Sequence, residues 1–195
     1  MRRPEHSVYT EILTTEKHAR SPKLVFVGIE YITLTIIRGN MEKNEGYIRK
    51  EGTTEHLVYL DREGQELTKL INNEKTMLIR GASGKKSPLG GRAKEGDVVY
   101  FVEKGGSLRV THRAVIENVT EKEKMSPEES ALFIAEFKKE LNLSAKQYAR
   151  WCGKKCLGVY QVSRPEEIIP FTYYRKSNMD DWIITDDINK LRMVE

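Results

Sequence analysis

NEKTMLIRGASGKKSPLGGRAKEGDVVYFVE, residues 73–103, is the stretch on which the fold turns. Its ends, Lys75–Arg80 and Asp97–Glu103, are dense in β-branched and aromatic residues and read as strands. Between them lies a loop of Gly, Ser and Pro too long for a tight hairpin turn. Arg80, Lys85, Lys86, Arg92 and Lys94 fall inside it or at its edge, with no acid between them. A flexible, acid-free basic loop is suited to following a phosphate backbone. A triphosphate-binding P-loop is excluded by spacing, because only two residues separate Gly81 from Gly84 and Pro88, Gly90 and Gly91 oppose the helix such a loop must open.

Working outward, His56–Leu60 reads as a short strand, Asp61–Gly64 as a turn and Gln65–Asn72 as about two turns of helix. Downstream, Lys104–Ser107 joins Asp97–Glu103 to a long strand running from Leu108 to Thr120, a hairpin with a bulge expected near His112–Ala114. Two helices follow. Ser126-Pro127-Glu128-Glu129 and Ser144-Ala145-Lys146-Gln147 are capping boxes that satisfy the first-turn amides of each. The first helix carries Phe133, Phe137 and Leu141 on one face; the second carries Tyr148 and Trp151 on its apolar stripe, read as core, and stops at Gly153. Strands are then expected at Cys156–Ser163, Phe171–Tyr174 and Trp182–Ile184, with a turn at Pro165–Pro170 and a capped turn from Asp186 or Asp187. Strands interrupted once by a helical pair argue for an α+β barrel. Before all this, residues 1–55 form an N-terminal extension, with one or two strands within 23–38.

The chain has 195 residues, 38% hydrophobic and 32% charged, with no apolar run long enough to span a bilayer and no signal-peptide pattern. Cytoplasmic placement and no membrane partner are the expectations. A net charge of +4 does not itself imply nucleic acid, so the distribution of charge carries that case. Cys152 and Cys156 are three residues apart and His6, His18, His56 and His112 are scattered, so neither a redox pair, a metal site nor a cofactor is expected. A second basic group, Lys146, Arg150, Lys154 and Lys155, surrounds Trp151. Near the end, Asp180 and Asp181 precede Trp182, whose indole is either a base-stacking surface or the first core residue of its strand.

Asn73–Arg80, the glycine-containing loop and Lys94–Phe101, followed by a helical pair, LGVYQVSRPEEIIPF and a late tryptophan, resemble ASCH domains and the wider PUA-like superfamily. In detail, residues 56–190 are similar to an uncharacterised archaeal PUA-like family, within a PUA-like domain expected over 56–195. The resemblance implies a mixed β pseudo-barrel with a two-helix insertion and a basic cleft for RNA or a modified base. Lys75 and Arg80 hold the signature lysine and arginine places, Asn73 replaces a glycine and Leu78 stands where an acid belongs. Some ASCH proteins hydrolyse acylated cytidine, which would make Lys75 and Glu103 the chemistry here. Leucine can neither carry a proton nor orient water, so Leu78 favours binding over catalysis. The expected nucleic-acid contacts are Lys75, Arg80, Lys85, Lys86, Arg92 and Trp182; a homodimer is an allowed assembly.

Overall fold

The computed structural model describes residues 52–84, 88–175 and 181–193. The strands expected within 23–38, and Lys85 and Lys86 of the basic loop, lie outside the described residues. β1 (Glu55–Leu60) leads through α1 (Glu66–Ile71) to β2 (Met77–Ala82). The basic loop then reaches β3 (Val98–Glu103), which turns into the 14-residue β4 (Arg109–Lys122). The helical insertion is α2 (Pro127–Glu136), α3 (Lys138–Leu141) and α4 (Ala145–Trp151). β5 (Cys156–Val162), β6 (Glu166–Thr172), β7 (Trp182–Thr185) and a 3-10 turn at Ile188–Leu191 complete the chain as described.

The seven strands form one mixed sheet in the order β2-β5-β4-β3-β1-β7, with β6 paired to β4 off that path. β1 and β3 run parallel; the other pairings are antiparallel. β4 curls the sheet into a half-barrel. Its first half pairs with β3 and β6, its second with β5, and register shifts fall opposite Phe101/Val102 and at Ile116/Asn118. The first leaves Thr111 without a partner in β3, one residue ahead of the bulge expected from sequence. An extra residue sharpens local twist and redirects the strand.

Because the central strands are covered on both faces, their sequences are continuous apolar runs. Val58, Val99, Phe101, Leu78, Ile116 and Tyr160 point inward to one core. Leu57, Val98, Tyr100 and Val102 face the opposite way, onto β6 and the 3-10 turn. Ile79, Leu157 and Val159 on the outer side of β2 and β5 take Phe133, Ile134, Leu141 and Trp151 from the helices.

Both capping boxes form as read, on Ser126 with Glu129 and on Ser144 with Gln147. Four details differ. The helix expected to carry Phe133, Phe137 and Leu141 on one face breaks at Phe137, whose backbone leaves the helical region, although Phe133 and Phe137 still meet edge to face at 5.4 Å. Residues 166–170, read as a turn, are strand: β6 pairs with β4 only, and Pro170 is exposed on it, where a missing amide costs no ladder bond. Tyr148, read as core, is 42% exposed, because α4 buries Gln147 and Trp151 instead. Tyr173 and Tyr174 leave the strand, Tyr173 making an isolated bridge to Arg192.

Candidate functional site

A cleft of about 390 Å³ opens where the end of β1, the β3–β4 turn and α4 converge. Tyr59, Leu60 and Asp61 come from β1 and its exit, Glu63 and Glu66 from the start of α1, and Arg80 from β2. Lys104 and Gly105 belong to the turn, Lys146, Gln147, Arg150 and Trp151 to α4, and Asp181 to the segment before β7. Two close approaches bring α4 in. A side chain at Gly81 would meet Leu157, Lys154 and Trp151 at 2.9–3.1 Å, so glycine here leaves room for α4 to lie close on β2. At Gly64 the added carbon would sit 3.0 Å from both Asp61 and Gln147.

Arg80 is the fixed point. Its Nη1 donates to Ile79 O (2.7 Å) and its Nη2 to Tyr59 O (3.0 Å) and Asp181 O (3.4 Å), tying β2 to the end of β1 and the approach to β7. The guanidinium carbon lies 5.1 Å from the Trp182 ring centroid and 6.0 Å from that of Trp151. Burial pulls its pKa down, while Glu66 and Asp181 oppose the change. Such a group stays charged at neutral pH. Arg150 stacks on the same Trp151, its guanidinium carbon 4.5 Å from the ring centroid, and bonds the Asp181 carboxylate. Burial alone would raise the Asp181 pKa; Arg150, with Arg80 and Lys104 behind it, outweighs burial and leaves it lowered. The Tyr59 hydroxyl is pushed up to about 12, first by burial and then by Tyr173.

The lining holds four cations, Arg80, Lys104, Lys146 and Arg150, against four carboxylates, Asp61, Glu63, Glu66 and Asp181. It is therefore charge-balanced rather than net basic. The two basic segments of the sequence nevertheless meet. Arg80 and Arg150 share the cleft, and Lys154 Nζ reaches Ser83 Oγ at 3.2 Å.

The other expected residues are placed differently. Lys75 is 1% exposed; its Nζ donates to Leu141 O (2.6 Å), a carbonyl ending α3, and pairs with Glu66 Oε1 at 3.2 Å. Burial lowers its pKa, and Glu66 opposes. The carboxylate beside Lys75 is thus Glu66 of α1, while Leu78 is core. Asn73, in the signature's glycine place, has φ +60°, a left-handed conformation that asparagine tolerates better than most residues. Trp182 is 7% exposed. Its Nε1 donates to His56 Nδ1 (3.0 Å), and His56 Nε2 contacts Asp97 Oδ2 (3.1 Å), so the histidine carries its proton on Nε2. Trp182 does not line the cleft but packs behind Arg80, which does. Arg92 is exposed, donates to Leu89 O, and its charge is felt at His56, toward the far end of β1 from the cleft. Glu103 is half-buried beside Lys104 but does not line the cleft.

Among the described residues no cluster of His, Cys, Asp and Glu could hold a metal, and no helix is long and apolar enough to cross a membrane. No protein-family model matches this chain, and no curated protein does. Solved structures similar to it include the ASCH protein from Zymomonas mobilis, at TM-score 0.45 and 16% identity over 60% of this chain and 73% of that one. Two single-substitution mutants of the same protein are similar at 15% and 14% identity, again with TM-score 0.45, covering 60% of this chain and 73% and 75% of theirs. Likeness of this extent does not assign the chain to a family.

Proposed function

We propose that this chain is a nucleic-acid-binding module whose cleft receives one base from single-stranded RNA. The observation that carries this reading is the stack of Arg150 on Trp151, beside an Arg80 backed by Trp182, on the wall of a cavity of suitable volume. Guanidinium planes and indoles are what unpaired bases stack on. A balanced lining suits a neutral heterocycle that presents donors and acceptors, where a bare phosphate would need a net positive wall. Lys75 and Trp182 serve the site from behind, holding α1, α3 and Arg80 in place. Arg92, with Lys85 and Lys86 near it in sequence, supplies phosphate contacts outside the cleft.

Titration of the full chain with fluorescent single-stranded RNA tests this. Arg150→Ala is expected to weaken binding about tenfold or more, the size of one lost stacking contact. Undiminished affinity in that variant, or no RNA binding by the parent chain, would overturn the proposal.

The competing reading is an amidohydrolase acting on a modified nucleoside through Lys75 and Glu103. One observation favours it: burial lowers the Lys75 pKa, and its partner Glu66 faces the cleft. Incubation with N-acylated nucleosides and a mass readout separates the two, since a pure binding module returns the substrate intact.

A further inference from the structure

The turn between β3 and β4 separates the cleft from a second cavity of about 510 Å³. Tyr59, Lys104, Gly105 and Asp181 line both, so the two are contiguous across that ridge. Gly106, Leu108 and Arg175 belong to the second cavity alone.

Their charges differ. In the second cavity Lys104 and Arg175 face a single carboxylate, that of Asp181, which Arg150 already engages from the other side. Lys104 and Arg175 are both exposed and neither makes an ion pair among the described residues. Arg175 lies with its guanidinium carbon 5.9 Å from the centroid of Tyr59, the ring at the junction. A balanced cavity adjoins a net cationic one. That is the order of chemistry along a polynucleotide, in which a neutral base alternates with an anionic phosphodiester.

The ridge is held in shape rather than left free. Leu108 adopts φ +56°, a left-handed conformation that leucine disfavours, with its carbonyl bonded by Tyr173 N–H at 2.9 Å and Gly106 N–H bonded to Glu103 O at 3.2 Å. The strain sets Lys104 and Gly105 between the two cavities, and Leu108 gives the second an apolar wall.

We infer that the two cavities are adjoining subsites for one dinucleotide step of single-stranded RNA, the base in the first and the phosphodiester and next nucleotide in the second. Lys104 and Arg175 face the phosphate, and Tyr59 stands at the joint. This rests on the cleft's holding a base.

Calorimetric titration of the full chain with the four nucleosides and the four matching homo-dinucleoside monophosphates, ApA, CpC, GpG and UpU, tests it. For the preferred base the dinucleotide should bind at least tenfold tighter than its nucleoside, and the gain should shrink as salt is raised. Arg175→Gln should remove most of the gain while leaving nucleoside affinity in place, and Arg175→Lys should retain part of it. A dinucleotide no tighter than its nucleoside overturns the second subsite and leaves the base cleft standing. A gain untouched by Arg175→Gln also overturns it, since the phosphate then lies elsewhere. Failure of nucleosides and dinucleotides alike overturns both readings.

Discussion

Two Lys–Glu pairs each bring a glutamate to the cleft's lining, and those glutamates are only three residues apart. Lys75–Glu66 is sealed, with side chains 0% and 10% exposed; Lys146–Glu63 is open, at 76% for both. Burial lowers the Lys75 pKa in spite of Glu66, whereas its hydrogen bond and attraction to Glu63 raise that of Lys146. The same two functional groups therefore do different work. In the sealed pair each member exists to cancel the cost of burying the other, and the reward is a fixed junction of α1, α3 and β2. In the open pair water does most of the cancelling, and the side chains remain available to a ligand.

The contrast can be broken most severely at Glu66. Glu66→Ala strands the Lys75 ammonium in a dry site and should cost about 3–5 kcal/mol in urea unfolding, while Lys75→Met with Glu66→Leu should recover most of that. A loss too small to measure in the single variant would mean the pair is not sealed. Next comes the other buried polar chain, Trp182–His56–Asp97. Trp182→Phe removes the donor to His56 Nδ1 and should cost about 1–3 kcal/mol. His56 also predicts a pH dependence. Burial, ahead of the opposing Asp97, sets its folded pKa below 6.5, so the unfolded chain takes up the proton first as pH falls. Its contribution to stability is complete above about 6.5, declines as pH drops toward the folded pKa, and levels off below it. His56→Asn should flatten the unfolding midpoint over that window. At the small end, Lys146→Ala should leave the unfolding midpoint where it is, because the exposed pair holds nothing together.

What the sequence discloses follows from how local each feature is. Ser126 with Glu129 and Ser144 with Gln147 act within a single turn, so both helix starts are readable. The β3–β4 hairpin and its bulge are nearly as local. Pro165 and Pro170 suggest a turn because nothing nearby reveals that Pro170 lies on an edge strand, where proline does no harm. Tyr148 and Trp151 look equivalent in sequence, and only the position of β2 beneath α4 decides that Trp151 is covered and Tyr148 exposed. The cleft lies furthest from view. The motif singles out Arg80 as a candidate, but Tyr59, Glu63, Gln147 and Asp181 line the cleft beside it from four separate segments, and the paired charges of that lining cancel what the basic runs suggest.

β1 sits between β3 and β7, so residues 55–58 reach their last partners only at residues 182–185. More than a hundred residues must leave the ribosome before that edge is covered. Such distant pairing makes for slow folding, and a chain stopped short of Trp182 would leave the Leu57–Val58 edge of β1 as a template for other strands. Holdase chaperones should therefore retain nascent chains of this protein until β7 is made, and release them soon after.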